Sequence, residues 1–447
     1  MRNGLAFTTA MVLFTSARLM AQTPVGTASP PSLTPPSSPP ASLSLPSSSS
    51  NANGVPVPAA LPPGASTNAY GVPIQPERPY ALSDDESLPP NRVPKLLWFR
   101  ADYLTWFVRK QNTGPLIQTI PDGQSQSSST LAGSATTLFP DNNSVKYGSF
   151  SGVRLNAGFW FDGTQRVGFD TSGFVLANNS IGASFASNGS PILARFYNNA
   201  NGGALTSLQF SNPDPATGYS GSLSAESKVT SLYGADASIR WEGYSLISDR
   251  TDYLAGFRYF DFRERLDING NALLRSGTQL NVQDHFAVSN QFYGAQAGLH
   301  ARWCSWSGFS VDGIFKLALG DMHQQADISG SNTLTPSGGP PSTQNTGLFA
   351  QASNSGTHSR NKFAAIPELT MNLNYNVTQY AAVFVGYNYT YISSVLRTGG
   401  AIDSNVNDAN IRYIANPTPG TNPGPLPTIR GESMWLQGVN VGLRLEY

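Results

Sequence analysis

Apolar and polar residues alternate along much of the chain from Leu96 to Tyr447. Between Val153 and Phe159, for example, the odd positions are apolar and the even ones are Arg, Asn and Gly. A period of two is typical of a β-strand with one apolar and one polar face. The segments are about 9–14 residues long, enough for a tilted strand to cross a bilayer. Ten segments share the pattern, and they begin near Leu96, Ser149, Val167, Val229, Asp252, Asn290, Phe309, Phe363, Tyr380 and Met434.

The connections between these segments alternate in length. Short turns are predicted at Asp162–Arg166, Glu242–Thr251, Cys304–Gly308 and Asn376–Gln379. Longer connections are predicted after Val108, Ala177, Phe262, Met322 and Ile392. Transmembrane β-barrels have short periplasmic turns and longer extracellular loops. The sequence therefore predicts an all-β fold: an antiparallel transmembrane barrel of about ten strands, alternatively twelve, with both termini in the periplasm.

All seven tryptophans fall at or near the ends of predicted strands. Amphipathic rings favour the headgroup zone of a bilayer, and transmembrane barrels carry girdles of aromatic residues there. We therefore expect these tryptophans to mark the membrane boundaries. They are Trp98, Trp106, Trp160, Trp241, Trp303, Trp306 and Trp435.

The chain before Leu96 divides into two parts. Residues 1–21 have a basic start, an apolar stretch and small residues, the outline of a secretory signal peptide. Residues 22–95 are rich in Pro and Ser and have few large apolar side chains, a composition typical of disorder. We expect a periplasmic linker, which is either a plain spacer or a binder of cell-wall material. The predicted barrel domain spans residues 96–447.

The last residues of the chain form a further pattern. Asn440 and Gly442 alternate with apolar residues, Leu445 follows, and Tyr447 is a terminal aromatic. This arrangement is similar to the signal that bacterial outer-membrane barrels present to their assembly machinery. With the export signal, it predicts the outer membrane as the location, and outer-membrane lipid and the assembly machinery as partners.

Composition excludes other classes of protein. The chain has 27 Lys+Arg against 27 Asp+Glu, whereas a nucleic-acid binder would carry a basic excess. A single Cys excludes a disulfide framework. The four His are scattered without metal-ligand spacing, so the sequence predicts no metal and no cofactor.

Several stretches resemble the putative β-barrel porin family 7, a group of bacterial outer-membrane barrels formerly described as a domain of unknown function. The run Trp98 to Trp106 (WFRADYLTW) carries most of the likeness. Similar stretches begin at Gly152 (GVRL), Leu254 (LAGFRY) and Phe292 (FYGAQ). The resemblance covers roughly residues 96–447. It implies an outer-membrane barrel and little about activity.

The alternation also predicts which charged side chains line the lumen. They are Arg154, Asp170, Asp236, Arg240, Arg258, Arg302, Asp312, Lys316, Glu368 and Arg444. Charges of both signs favour a narrow channel for small polar solutes. The alternative is a barrel sealed by paired charges, with a structural or surface-interaction role and no conductance. Eight strands leave a filled interior and 16–18 an aqueous channel, so ten strands lie near the closed end.

The sequence offers little support for an enzyme. The best candidate base is His285 next to Asp284, in a predicted outer connection. No nucleophile with an oriented base can be recognised from spacing. We therefore expect a protein without catalytic residues.

Overall fold

A computed structural model describes residues 94–122, 131–245, 248–411 and 420–447. Ten antiparallel strands each pair with the next along the chain, and the last pairs with the first, which closes a ring. The strands are β1 (Leu97–Val108), β2 (Ser149–Trp160), β3 (Val167–Leu176), β4 (Tyr219–Gly243), β5 (Arg250–Leu274), β6 (Gln279–Trp306), β7 (Phe309–Thr335), β8 (Gly356–Asn376), β9 (Ala381–Leu396) and β10 (Gly431–Glu446). The predicted barrel of about ten strands is confirmed. The signal peptide and nearly all of the linker lie outside the described residues.

Both ends of the barrel domain meet at one rim, here called the terminal end. Leu97 and Tyr447 exchange backbone hydrogen bonds of 2.8 Å in both directions. All four predicted short turns lie between strands at this end. Above this rim, the outward face carries a belt of exposed apolar side chains such as Leu155, Phe257 and Leu443.

The opposite rim, here called the cap end, rises well beyond this belt. Strands β4 to β7 are 25 to 28 residues long, far longer than predicted. The long connection expected after Phe262 is therefore wrong, because β5 continues to Leu274 and a hairpin at 275–278 follows. Gly277 has a φ of 78° in this tight turn, a conformation that glycine adopts without strain. The connection after Met322 likewise starts only beyond Thr335.

The two faces of the wall exchange their chemical character where the wall rises beyond the belt. On β5, Phe257 points outward and Arg258 inward, but higher up Arg265 points outward and Leu266 is fully buried inside. Polar residues outside and apolar residues inside are the pattern of a water-exposed wall around a core. On β4 a bulge between Val229 and Ser231 reverses the parity. Val229 shares the odd positions of the outward Ile239, so the alternation predicts that it faces outward. The bulge turns it inward instead, and it is 1% exposed.

The long connections fold into a cap inside this extended wall. A strand at Asn179–Ser187 pairs with β4 above β3. Five short strands from three connections then form a second sheet, and they are Ile117–Ile120, Thr136–Phe139, Ile192–Asn199, Leu205–Gln209 and Asn405–Val406. Smaller strands are Gln111–Asn112, Ser144–Val145 and Ser342–Gln344, and one-turn helices are Leu131–Ser134, Asp141–Asn143, Thr398–Ala401 and Asp408–Asn410. None of the helices in the described ranges is long and apolar enough to cross a membrane.

Cap and wall share one apolar core. Phe210 and Leu193 of the cap pack with Leu266 and Phe286 of the wall, and all four are at most 2% exposed. A Cβ added to Gly270 of β5 would lie 2.2 Å from the Phe210 ring. Glycine at this wall position therefore lets the cap approach closely. The long connections are thus packed elements, not the free outer loops that their Gly, Ser and Asn content suggested.

A seam opens in the wall between β8 and β9. Their pairing ends at Glu368 and Thr390. Three residues beyond Glu368, Ala365 donates its backbone N–H to Ser393 Oγ at 2.9 Å, so the N–H groups of this parity point toward β9. Pro367 has that parity and lacks an N–H, so the ladder cannot continue. Beyond the seam β9 turns inward, where Asn290 of β6 hydrogen-bonds both N–H and C=O of Leu396.

Candidate functional site

The inner face of the terminal half is polar and charged. The structure places all ten charged residues proposed for the lumen on this face, either on a cavity or bonded to the residues that line it. Those on the cavity are Arg154, Asp170, Arg240, Arg302, Asp312, Lys316, Glu368 and Arg444. The other two are Asp236, 2.6 Å from Lys316 Nζ, and Arg258, which hydrogen-bonds Glu368.

Asp102 is a hub that sequence reasoning missed. Its side chain is 1% exposed and accepts two hydrogen bonds from Arg100, of 2.9 and 3.1 Å. Arg154 donates two more, of 3.0 and 2.6 Å, and Asn440 a fifth of 3.2 Å. The first strand alternates least regularly, yet Arg100 and Asp102 share the parity that places Arg154 inside. Asp102 lies directly opposite Arg154 in the β1–β2 register. An alignment of the two strands in this register therefore predicts that Arg100 and Asp102 point inward.

A second group links the opposite wall. Glu368 pairs with Arg258 and accepts a hydrogen bond of 3.0 Å from Asn388. Asp236 accepts hydrogen bonds from Lys316 at 2.6 Å and from Gln296 at 3.2 Å. Because buried charges are stable only when paired and hydrogen-bonded, these contacts hold the walls in one geometry.

Tryptophans complete the interior near the terminal rim. Trp98 and Trp160 pack with ring centroids 5.3 Å apart, and the Arg240 guanidinium lies 5.1 and 5.0 Å from them. Trp106, near the other end of β1, is also inside, at 1% exposure. The girdle prediction is therefore wrong for these three, although Trp241 does face outward. They share the parity of the inner charges, and their rings attract the arginine cations.

The polar face surrounds a cavity of about 880 Å³ at the terminal end. The size is within the range of small-molecule sites. Its basic lining residues are Lys95, Arg100, Arg154, Arg240, Arg250, Arg302, Lys316 and Arg444. Its acidic lining residues are Asp170, Asp312, Glu368 and Glu446. His300, on the same lining, lies 2.6 Å from Arg240 Nη2 through Nδ1.

A layer of buried apolar side chains lies inside the barrel directly above the cavity. Every one of the ten strands contributes to it, and its side chains are at most 6% exposed. Phe260 and Phe292, for instance, are completely buried although they point into the barrel. Its strand residues are Leu104, Trp106, Val108, Phe150, Leu176, Val229, Leu232, Phe260, Phe262, Phe292, Ala318, Met322, Ala364, Ile366, Ile392, Val395, Met434 and Leu436.

A buried ion pair, here called the latch, lies above the layer. Arg397, in the connection after β9, donates to both carboxylate oxygens of Glu264 at 2.8 and 3.0 Å. The same carboxylate accepts hydrogen bonds from Tyr147 at 2.5 Å, Gln111 at 2.9 Å and the Thr398 backbone at 3.1 Å. The side chains of Glu264 and Arg397 are 0% and 1% exposed. The latch thus ties two connections, the one between β1 and β2 and the one after β9, to β5.

The environment of the latch shifts two pKa values. Burial by itself lowers the pKa of Arg397, but the Glu264 carboxylate outweighs burial and the pKa is raised. Burial and then the Glu264 charge raise the pKa of Tyr147 above its ordinary value. Both effects favour a charged guanidinium and a neutral phenol.

The candidate base His285 and its neighbour Asp284 lie on opposite faces of β6. Asp284 points inward, 2.7 Å from Arg195 of the cap, and accepts backbone hydrogen bonds from Phe349 and Ala350. His285 lies on the outer surface, with Nδ1 2.5 Å from Asp267. Neighbours in a strand point in opposite directions, so the two do not form one site. Within the described ranges, no cluster of His, Cys, Asp and Glu could hold a metal ion.

The four residues of the proposed assembly signal lie on β10 and directly after it. Asn440 and Gly442 point inward, and a Cβ at Gly442 would lie 2.3 Å from the Ala101 carbonyl oxygen. Leu445 and Tyr447 share the outward parity, and Tyr447 is 59% exposed and stacks on Tyr380. In the folded barrel the signal is thus part of the wall that closes the ring.

Comparison with known protein families identifies the family to which this barrel belongs. The model of the putative beta barrel porin-7 family matches residues 98–447, the whole of the barrel domain except its first residues. The chain belongs to the putative beta barrel porin-7 family. This confirms the resemblance drawn from the sequence. The protein is therefore a porin-like barrel of the outer membrane.

Solved structures similar to this chain are outer-membrane barrels. The outer membrane protease OmpT of Escherichia coli is 9% identical, with 79% of this chain and 98% of that chain covered and a TM-score of 0.37. The toluene transporter TodX of P. putida is 9% identical, with coverages of 79% and 91% and a TM-score of 0.25. A Pseudomonas aeruginosa FadL homologue is 7% identical, with coverages of 79% and 90% and a TM-score of 0.21. Likenesses this weak carry no argument about activity. No curated protein matches the chain.

Proposed function

We propose that this protein is a sealed outer-membrane barrel that holds a packed cap at the outer surface and a polar cavity at the inner one. The observation that carries the proposal is the apolar layer, to which all ten strands contribute. An apolar layer of this kind opposes the passage of polar solutes, because each solute would lose its hydration there. The core shared by cap and wall adds a second barrier.

The experiment that tests this proposal is single-channel recording. Refolded full-length protein, proven folded by a heat-dependent gel shift, is added to a planar bilayer. We expect no discrete conductance steps. Reproducible steps from the unaltered protein contradict the sealed barrel. As a positive control, replacing both Phe260 and Phe292 by Ser introduces polar groups into the layer and should produce a leak.

A narrow channel for small polar solutes is the second candidate. The cavity favours it, since about 880 Å³ of polar space already reaches into the barrel from the terminal end. Conduction then requires the layer to open. If the unaltered protein conducts, Arg258→Glu or Glu368→Lys should change its ion selectivity, because both residues lie on the inner face.

We further propose the orientation of the barrel. The terminal end faces the periplasm, together with the Pro/Ser-rich linker, and the cap faces the outside. Short turns at the terminal end and long connections at the other support this assignment. An engineered Arg275→Cys at the cap-end hairpin should react with an impermeant maleimide on intact cells. Absence of labelling on cells while the purified protein is labelled contradicts the orientation.

The partners and the absence of catalysis are proposals of the same kind. The exposed apolar belt supports contact with outer-membrane lipid, and the pattern ending in Tyr447 supports recognition by the barrel-assembly machinery. Deleting Tyr447 should reduce the amount of folded barrel in the outer membrane. Contact between the linker and cell-wall material is tested by sedimentation with purified peptidoglycan. The opposite orientations of Asp284 and His285 support a protein that is not an enzyme.

A further inference from the structure

The cavity at the terminal end has more basic than acidic groups. Eight basic side chains line it against four carboxylates. Including the buried groups bonded to that lining, Arg258, Asp102, Asp236 and Asp252, nine basic side chains face seven carboxylates. The chain as a whole is neutral. The excess is therefore a property of this interior.

The excess is concentrated near Glu446. This one carboxylate faces three cations: Lys95 Nζ at 3.0 Å, Arg444 Nε at 3.3 Å and Arg302 Nη2 at 3.8 Å. Asp312, the other carboxylate nearby, accepts hydrogen bonds of 2.8 and 2.5 Å from the amides of Asn372 and Asn374. It lies 3.8 Å from Arg444 Nη1. Glu446 and Asp312 together therefore leave hydrogen-bond donors of the Arg302 and Arg444 guanidinium groups without a close acceptor.

Arg302 is the least satisfied of them. It lies opposite Asp312 in the β6–β7 register, yet within the described residues it makes no hydrogen bond to any carboxylate. The Arg302 side chain is 39% exposed, but its Nε is buried without a hydrogen-bond partner. Nε2 of the neighbouring His300 also lacks a hydrogen bond and lies 3.8 Å from Asp312 Oδ2. A buried donor without a partner is destabilising, and a bound acceptor removes that cost.

We propose that this cavity binds a small organic or inorganic oxyanion, with Arg302 and Arg444 as its principal ligands and His300 as a further donor. Guanidinium groups match carboxylate and phosphate oxygens in planar, bidentate geometry. Leu97, Leu254 and Ile314 supply an apolar part of the lining. The ligand class is therefore a carboxylate or phosphate of metabolite size. The proposal rests on the function proposed above in one respect only, namely that the ligand enters the cavity from the periplasm.

Calorimetry on the folded, detergent-solubilised full-length protein tests this inference. The probes are succinate, inorganic phosphate and the dication putrescine. We expect saturable binding of at least one anion and none of putrescine. Binding of succinate alone identifies carboxylates, binding of phosphate alone identifies phosphates, and binding of both supports a general oxyanion site. The absence of anion binding by folded protein overturns the inference, as does equal binding of putrescine.

Variants locate the site. Arg302→Gln should weaken anion binding at least about tenfold, as expected for losing a charge-assisted hydrogen bond. Arg444→Gln provides the second variant if Arg302→Gln fails the gel-shift test. Arg275→Gln, the same change on the exposed cap-end hairpin, should leave binding unaltered. Unchanged affinity in both cavity variants overturns the assignment.

Measuring conductance and anion binding on the same preparation distinguishes failure of the sealed-barrel proposal from failure of the anion-site proposal. A silent barrel that binds no anion refutes the anion site and leaves the sealed barrel intact. A conducting barrel refutes the sealed barrel but not the anion site.

Discussion

In the terminal half of the barrel, the strands turn Arg, Asp, Glu and Asn inward and apolar side chains outward. In the cap half, the same wall turns Leu, Phe and Val inward and polar residues outward. The medium that surrounds each half explains why the apolar and polar faces change places. A wall in lipid exposes apolar groups and can hide polar ones, whereas a wall in water does the opposite. The terminal half is therefore held by paired charges around a cavity, and the cap half by an ordinary hydrophobic core.

The latch lies at the border of the two halves, and breaking it should have the largest effect. Arg397→Ala leaves the buried Glu264 without its cation, which costs about 3–5 kcal/mol. The measurement is the urea midpoint of the gel-shift transition, with protease cleavage of the cap as a second readout. Arg430→Ala, an exposed arginine in the same connection, is the matched control. Equal midpoints for both variants would mean that the latch does not hold the cap.

Opening the apolar layer should come next. Phe292→Ala removes a fully buried ring and should lower the free energy of unfolding by about 3 kcal/mol. Phe257→Ala, an outward ring on the neighbouring strand, should cost less because lipid replaces its contacts. The urea midpoints of the two variants in the same detergent provide the comparison. A larger loss for Phe257→Ala would contradict the layer as a packed core.

The Tyr147 hydroxyl gives the cap half a dependence on alkaline pH. Its pKa is raised in the folded protein, so the stability it contributes is present below the unfolded value of about 10 and is lost as the pH rises above it. Tyr147→Phe should cost about 1.5–3 kcal/mol at neutral pH, since a hydrogen bond to a charged group is lost. It should also flatten the decline in urea midpoint between pH 9 and 11, values chosen to bracket about 10. The control is Tyr244→Phe, an exposed tyrosine. An unchanged alkaline slope would contradict this role.

The smallest effect is expected on the outer surface of the cap half. Arg265 pairs with Asp267 at 2.9 Å, with side chains 42% and 30% exposed. Water screens such a pair, so Arg265→Ala should change the free energy of unfolding by about 0–1 kcal/mol. We therefore expect Arg–carboxylate pairs to contribute less at Arg265, where the pair is exposed, than at Arg397, where it is buried and bidentate. If Arg265→Ala and Arg397→Ala lowered the urea midpoint by similar amounts, the expected difference between exposed and buried ion pairs would be wrong.

Several features could be predicted from sequence because they depend on local pattern. Strand parity placed Arg154, Lys316 and Arg444 inside, and turn positions at the terminal end followed from the breaks in alternation. The sequence did not predict the length of β5, because beyond Phe262 the apolar residues move to the other face. Nor did it predict that Val229 points inward, since one extra residue at a bulge reverses the parity without a clear sequence signal.

The sequence by itself determined the all-β class, the ten strands and which neighbours share a face, because a strand side chain's direction depends only on its position in the alternation. Only the tertiary structure decided what each face meets. It brought Glu264 to Arg397 and Asp102 to Arg100 and Arg154, folded the long connections into the lumen, and left Arg302 without a full partner. These contacts join residues far apart in the chain, and their free energy depends on burial and geometry that no local pattern contains.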